Sequence, residues 1–319
     1  MQRRNRKMVG GWLVVVLLAS LGGACSDTKW VQPKSGGKPY EVLVVGDTMD
    51  MIRKALGRDV VGLPQHEPQF DVSTVKRGGL NASLRLARNI VILDIDSGVF
   101  TNTRIRYEKN KYARPQMIVY IGTPSLLALR HDMSQQSRFL CKLFERAESN
   151  AAIEHLKTHR NAEAEKQVEQ LLGVKMWIPE ELTVSKQGKN FVWLSNNSAA
   201  NMRNIVVYRH GAIPDVTTFT ALRDSVMRNN IKGETDEMFM TTVQETVSGI
   251  KTKVNKLDVL IFRGLWEMQG DCMGGPFVSH TVGDITAEAF LFAPGKKKRN
   301  QLRQLEAALY TLKQRTNEQ

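Results

Sequence analysis

The densest group of residues that could do chemistry lies between Arg263 and His280, in the stretch RGLWEMQGDCMGGPFVSH. Cys272 stands eight residues before His280, so a thiol and an imidazole base could form a nucleophilic pair. Glycines such as Gly270 and Gly274 adopt backbone angles closed to other residues and can bring amide groups close to a ligand. The alternative is a β-hairpin whose turn uses the same glycines, and the sequence favours that alternative.

A second candidate pair is formed by Asp94 and Asp96, at the end of a strongly apolar run. Strand alternation points both side chains to the same face, where two carboxylates could share a proton or hold a cation. Acidic residues at the end of a strand also cap turns, and Ser97-Gly98 follows directly. The turn is the favoured interpretation.

His155 and His159 are spaced to share one face of a helix, as in a two-histidine metal site. The surrounding helix is heavily charged, and no glutamate follows His155 in the zinc-protease pattern, so a solvated face is favoured. We therefore expect no metal, no cofactor and no assigned catalytic residue in this chain.

A basic run made of Lys296, Lys297, Lys298 and Arg299 begins the last predicted helix. Positive charge at the start of a helix opposes the helix dipole. The run is therefore a candidate contact for phosphate head groups or an acidic polymer, with an ordinary charged surface as the alternative.

The elements that must position these residues are indicated by short apolar runs and by amphipathic stretches. Predicted strands cover 42–45, 70–75, 88–95, 104–109, 116–121, 190–194, 204–208, 237–246, 257–268, 276–282 and 286–292. A first predicted helix ends near 56. Further predicted helices cover 124–172 (broken near 133), 217–230 and 296–313. Runs of adjacent strands with helices between the blocks favour an α+β fold, with antiparallel or mixed sheets and packed helices. Both halves end in a strand, a proline-containing joint and a long helix, which leaves open that they are two similar units.

The first 25 residues have the three parts of a bacterial lipoprotein signal. A basic segment (3–7) precedes an apolar segment (11–18), and small residues stand directly before Cys25. In such a signal, acyl chains such as palmitate are attached to the cysteine and the preceding residues are removed. An ordinary secretory signal or a membrane anchor is the alternative, but the apolar run is short for a span.

These patterns divide the chain into four parts. We predict a signal peptide at 1–24, a polar tether at 25–37, a first α+β half at 38–172 and a second at 173–319. Ser26, rather than an aspartate, follows Cys25 and favours export to an outer membrane.

The composition is that of a globular protein, with 42% hydrophobic and 24% charged residues and a net charge of +13. An envelope location argues against nucleic acid as the reason for the basic surplus. We expect membrane attachment through lipid on Cys25, with an envelope protein or cell-wall polymer as a further partner. After Cys25 only Cys141 and Cys272 remain, which is too few for a disulfide framework, and Cys141 sits in an amphipathic helix pattern typical of a buried free thiol.

Five stretches together resemble the family known as domain of unknown function 4837, whose members are predicted lipoproteins of the Bacteroidetes. They are KPYEVLVV (38–45), RNIVILDID (88–96), YARPQM (112–117), RGLWEMQGDCMGGPFVSH (263–280) and RNQLRQLEAALYTLK (299–313). The resemblance extends over nearly the whole mature chain and implies an envelope lipoprotein, but it brings no catalytic residue with it. Acidic residues soon after the cysteine often mark surface export in that group, and only Asp27 fits, so the membrane face stays undecided.

The sequence therefore predicts a cell-envelope lipoprotein that acts as a non-catalytic binding or assembly factor. One alternative is an enzyme acting on cell-wall or glycan material through the 263–280 loop or through Asp94 and Asp96. Another is a protein that captures peptides at an open sheet edge.

Overall fold

Two large β-sheets, each covered by helices, make up the fold in a computed structural model that describes residues 32–213 and 215–314. The predicted lipidation site Cys25, the predicted signal peptide and the first part of the predicted tether lie outside the described residues. The predicted α+β fold class is confirmed.

The first sheet is mainly parallel, with the strand order β2-β1-β3-β5-β4. Its strands are β1 (Glu41–Val45), β2 (Asp71–Val75), β3 (Asn89–Ile95), β4 (Arg104–Lys109) and β5 (Met117–Thr123). Only β4 runs antiparallel to its neighbour. The three central strands β1, β3 and β5 are largely buried apolar runs, as expected where helices cover a parallel sheet.

Two α-helices, α1 (Met51–Leu56) and α2 (Leu126–Leu156), accompany this sheet. The side chain of Ser125 begins α2 by accepting a hydrogen bond from the Ala128 N–H. The predicted break near Met133 is wrong, because Met133 is buried on the same helix face as the core residue Leu140 and the helix continues through it. The interruption comes instead after α2, before α3 (Ala162–Leu172).

The second sheet is antiparallel throughout, with the order β10-β11-β12-β13-β9-β8-β7. The elements of this part are β6 (Val174–Lys175), β7 (Val184–Gly188), β8 (Phe191–Ser195), β9 (Met202–Arg209), α4 (Val216–Asn230), β10 (Met240–Val254), β11 (Leu257–Met268), β12 (Gly274–Val282), β13 (Ile285–Phe292), α5 (Arg299–Leu309) and β14 (Lys313–Gln314), which pairs with β6. Helices α3 and α5 pack against one face and α4 against the other. A parallel and an antiparallel sheet cannot be copies of one unit, so the chain is not an internal duplication.

The beginning of the described chain is more firmly attached than a free tether. Ser35 is buried and its N–H donates to the Arg114 carbonyl, while the Gly36 N–H donates to the Leu86 carbonyl. The polar character of this segment is therefore matched by backbone hydrogen bonds to the first sheet. The predicted boundary between the halves at 172/173 stays a prediction, although α3 buries Val168 in the core of the second sheet.

The two later cysteines are both free thiols, as predicted. Cys141 is buried on α2, with Sγ 3.6 Å from the Ala55 carbonyl oxygen. Burial raises the pKa of its thiol to about 11. Cys272 is exposed. Within the described ranges, none of the helices is long and apolar enough to cross a bilayer.

Candidate functional site

The structure does not bring Cys272 and His280 together. Cys272 lies exposed in the turn between β11 and β12, whereas His280 lies in β12 opposite Ile261 and is only 1% exposed. The seven residues from Gly274 to His280 span about 20 Å of strand. The stretch has the form of the hairpin that the sequence favoured, with Gly270 at a φ of 78° in its turn.

The same stretch packs too tightly to hold a ligand. A Cβ at Gly275 would clash with the Leu291 carbonyl oxygen, and the Trp266 indole donates to that oxygen at 3.1 Å. The glycine is therefore explained by the close approach of a neighbouring strand. Trp266 is buried in the core, as its strand position predicts.

His280 belongs instead to a buried network centred on Glu306 of α5. Its Nε2 lies 3.3 Å from Glu306 Oε1, which also accepts hydrogen bonds from Arg263 and from the Tyr310 hydroxyl. Burial lowers the pKa of His280. Although burial disfavours the charged form of Glu306, the Arg263 guanidinium and the His280 hydrogen bond hold the pKa of that carboxyl well below its usual range. The network joins α5 to β11 and β12, and its central acceptor is already bonded from three sides.

Asp94 and Asp96 are engaged separately. Asp94 Oδ1 lies 2.5 Å from an Arg77 guanidinium nitrogen, and Asp96 Oδ1 accepts a hydrogen bond from the Gly98 N–H at 2.8 Å. Asp96 therefore has the turn-capping role that the sequence favoured. Across 32–213 and 215–314, no group of three His, Cys, Asp or Glu residues is arranged to hold a metal ion.

The basic run Lys296–Arg299 is largely used inside the fold. The backbone N–H groups of Lys298 and Arg299 donate to the buried Glu67 carboxylate at 2.7 and 3.0 Å, and Arg299 also contacts Asp71 at 2.5 Å. A carboxylate at the start of α5 offsets the unfavourable position of the positive charges. The two lysines before them stay exposed. The run joins α5 to the first half and does not form an open basic patch.

A groove with a volume of about 1400 Å³ runs along α2. One side is formed by α2 residues three or four positions apart, beginning with Phe139 and Lys142. The other side is formed by the end of β4, the turn into β5 and the entering segment 34–39. The base of the groove includes the buried residues Tyr40 and Gln116.

Five cations line this groove and make no ion pair within the described part of the chain. They are Lys34, Lys109, Arg114, Lys142 and Arg146, all of them exposed. Three of the four acidic residues in the lining are neutralised, because Glu148, Glu154 and Glu181 pair with Arg88, Lys157 and Arg203. Among the described residues, Glu180 is the acidic side chain of the lining without such a pair. The groove therefore carries a positive charge that this part of the protein does not balance.

Apolar and aromatic side chains lie among these cations. Tyr107 is 50% exposed and Phe139 is 51% exposed, and both line the groove. Exposed rings beside cations suit a ligand that has apolar as well as anionic parts. Such a ligand would neutralise charge and cover aromatic surface at once.

The predicted histidine pair lies at one end of the groove. His155 and His159 stack with ring centroids 3.8 Å apart and an interplanar angle of 10°. The Nδ1 atom of His159 lies 2.9 Å from the His155 carbonyl oxygen. They share a face as predicted, but the described chain provides no third ligand that would complete a metal site.

Sequence reasoning missed the groove because its cations come from distant segments. One signal was available. Phe139, Lys142 and Arg146 recur at helical spacing on an otherwise core-forming helix. The contribution of the β4–β5 turn could not be read without the fold.

Comparison with known families divides the chain in two. Residues 161–311 match the family described as Domain of unknown function (DUF4837), and residues 35–157 match one described as Domain of unknown function (DUF8532). The second half of the chain is therefore similar to the DUF4837 family. The family recognised from the sequence is thereby confirmed, over 161–311 and not over nearly the whole mature chain. DUF4837 includes the 263–280 stretch, whereas α2 and the β4–β5 turn lie within DUF8532.

One solved structure, from Bacteroides thetaiotaomicron VPI-5482, aligns with 13% sequence identity and a TM-score of 0.26. The alignment covers 46% of this chain and 46% of that chain. At such a score the similarity carries no argument about fold or function. No curated protein matches the sequence.

Proposed function

We propose that this protein is a cell-envelope lipoprotein, anchored through acyl chains on Cys25, that acts as a non-catalytic binding factor for an extended acidic ligand. The groove along α2 is the binding site. The observation that carries the proposal is the group of five exposed cations around the groove that have no ion pair within the described chain.

The size of the groove favours an extended ligand. A volume of about 1400 Å³ exceeds the range of roughly 300–1000 Å³ found for small-molecule pockets. The lining residues from Phe139 to His155 span about 24 Å of helix. That length corresponds to about seven residues of an extended peptide.

Charge complementarity favours an acidic ligand. Cations on both sides of a concave surface attract an anion from solution and hold it in the groove. The attraction weakens with added salt, because exposed charges are screened within about 8 Å at physiological ionic strength. The aromatic residues between the cations contribute an attraction that salt does not screen.

Fluorescence anisotropy tests this binding on the full chain. The probe is a fluorescein-labelled peptide of about eight residues that alternates Glu with Leu, and its Gln-for-Glu version is the control. We expect the acidic peptide to bind and the neutral one to bind at least about tenfold more weakly. The double substitution K142Q/R146Q weakens binding of the acidic peptide by about tenfold, and added salt reduces the effect of that substitution.

The matched control is R130Q/R138Q. Both arginines lie exposed on α2 and do not line the groove. The two double variants have the same net charge, so they separate a local site from general attraction. An equal loss of affinity for the acidic peptide in both double variants would contradict the proposal. Equal binding of the acidic and neutral peptides to the wild-type protein would contradict it as well.

The membrane anchor is supported by the basic segment, the apolar segment and the small residues before Cys25. Labelling of cells with an alkyne analogue of palmitate should modify the wild-type chain and leave it in the outer-membrane fraction. The Cys25→Ser variant should take up no label and leave that fraction. A labelled or membrane-bound Cys25→Ser variant would contradict lipidation at this residue.

A further inference from the structure

One cation of the groove differs from the five exposed ones, because it is partly buried and held in place. The Arg88 side chain is 15% exposed and lies in the groove lining. Its Nε donates to both carboxylate oxygens of Glu148, at 2.8 Å each, and the Glu148 side chain is 2% exposed. The backbone of Arg88 is fixed as well, since its N–H donates to the Gly36 carbonyl at 3.0 Å.

The Glu148 carboxylate is itself positioned from a second side. The Asn89 Nδ2 atom donates to Glu148 Oε1 at 2.6 Å and to the Glu41 carbonyl at 2.9 Å. The orientation of the Arg88 guanidinium is therefore set by β3, by α2 and by the entering segment before a ligand arrives. Such preorganisation reduces the entropy that binding would otherwise cost.

The contact with Glu148 uses only the Nε atom of the guanidinium. The terminal nitrogens Nη1 and Nη2 of Arg88 donate to no other residue within 32–213 and 215–314. This terminal edge carries two parallel N–H groups, which match the two oxygens of a carboxylate. Of the three guanidinium nitrogens of Arg88, only Nε donates to Glu148, so the fork is left for a ligand.

We propose that the Nη1–Nη2 edge of Arg88 binds one carboxylate of the acidic ligand, near the middle of the groove. The inference rests on the proposed function and names the group that the groove recognises. Arg88 and Glu148 together carry no net charge, so a monoanionic carboxylate is favoured over a dianionic phosphate at this position. Arg146 lies half a helical turn from Glu148 and adds positive charge on the solvent side.

Two substitutions with opposite expected effects test the assignment, using the same acidic peptide and the full chain. Arg88→Lys keeps the charge but loses the fork, and should weaken binding by about tenfold. Glu148→Gln keeps an acceptor for Nε but removes the neighbouring negative charge, and should tighten binding by about threefold. Lys142→Gln is the comparison for an exposed cation, with an expected loss of about threefold that added salt abolishes.

A merely structural Arg88 predicts a different pattern. Both Arg88→Lys and Glu148→Gln would then loosen α2 and change binding in the same direction. A crystal structure of the wild-type protein with the peptide avoids any variant that folds poorly. A carboxylate within about 3.2 Å of Nη1 and Nη2 supports the inference, and a peptide bound with those nitrogens vacant overturns it.

The outcomes separate the two proposals. If the wild-type protein binds the acidic peptide and Arg88→Lys binds equally well, the Arg88 inference is wrong while the function of the groove stands. If the wild-type protein binds neither peptide, the proposed function fails and the Arg88 inference fails with it. Tighter binding of a phosphoserine version of the peptide would overturn the preference for carboxylate.

Discussion

The charged residues in the core of the second half are buried and paired, whereas those around the groove of the first half are mostly exposed and unpaired within the described chain. In the second half, Arg223 and Glu306 are buried, and each makes several hydrogen bonds to partners in the second sheet. In the first half, cations such as Lys142 and Arg146 stand exposed around a groove without ion pairs in the described chain. The buried charges of the second half stabilise the fold, whereas the exposed cations around the groove are available for a ligand.

This difference changes how the sequence is interpreted. The stretch 263–280 is the strongest candidate for a catalytic site in the sequence, because Cys, His, Trp and several glycines are close together. In the structure, its strand residues pack in the core of the second sheet. The groove is lined by ordinary lysines, arginines and alanines from several distant segments of the chain. A distinctive motif can therefore reflect the packing of a tight hairpin, while the proposed binding surface has no recognisable motif.

The largest expected loss of stability comes from breaking the buried ion pair of the second half. Arg223 and Glu288 are fully buried, and the guanidinium donates to Glu288 through Nε at 3.0 Å and Nη2 at 2.8 Å. Glu288→Gln leaves the buried guanidinium with only the Asp224 carboxylate, 4.0 Å away, as a counter-charge. The substitution should lower the free energy of unfolding by about 3–5 kcal/mol. Urea unfolding followed by circular dichroism measures the loss.

Asp258→Asn is the control for that experiment, because the Lys253–Asp258 pair is exposed. It should leave the unfolding midpoint unchanged. Similar losses in both variants would mean that the buried pairs of the second half have no special structural role.

The next effect concerns the pH dependence of stability. The pKa of His280 is lowered by burial, so the folded protein resists its protonation more than the unfolded chain does. Stability is therefore complete above the ordinary value of 6.5 and falls by up to about 1.4 kcal/mol per pH unit below it. His210, whose pKa is also lowered by burial, contributes in the same direction.

Replacing His280 alone measures its contribution to the pH dependence of the free energy of unfolding. Unfolding free energies between pH 8 and pH 5 should depend less steeply on pH in His280→Gln than in the wild type. His66→Gln, at an exposed position, should keep the wild-type slope. An unchanged slope in His280→Gln would show that burial does not hold this histidine neutral.

A smaller loss of stability is expected from a substitution at the contact between the two halves. The Glu67 carboxylate accepts the first N–H groups of α5, and the residue is 1% exposed. Glu67→Ala should destabilise the protein by about 1–2 kcal/mol, because those buried donors lose their acceptor. Lys76→Ala, at an exposed position directly after β2, serves as the control in the same thermal unfolding assay. If the two variants unfolded at the same temperature, the Glu67 carboxylate would not contribute to joining the halves.

The smallest effect on stability should come from the groove itself. K142Q/R146Q removes two exposed cations without ion pairs, so the free energy of unfolding should stay within about 0.5 kcal/mol of the wild type. Binding of the acidic peptide should weaken by about tenfold in the same variant. A stability loss comparable to that of Glu288→Gln would mean that these cations support the fold.

Much of the fold could be predicted, because local patterns determine its elements. The run Val42–Val45 and the stretch around Ile90 read as buried strands, and the predicted strand 104–109 matches β4. Pairing could not be predicted, since which strands become parallel depends on long-range contacts. The edge strand β7 was missed because its residues are exposed and mostly polar.

The site was harder to predict for the same reason. Lys34, Lys109 and Arg114 lie far from Lys142 in sequence and line one groove only after β4 and β5 pair and α2 packs beside them. The orientation of Arg88 depends on Glu148, sixty positions away. Sequence patterns report local structure, and a groove built from distant segments leaves little local trace.

Hydrogen–deuterium exchange of the full chain, with and without the acidic peptide, tests the central claim most directly. We expect slower exchange in 104–117 and 139–156, which form the two sides of the groove, and unchanged exchange in 263–282. Protection of 263–282 with none along α2 would contradict the account and return attention to the hairpin.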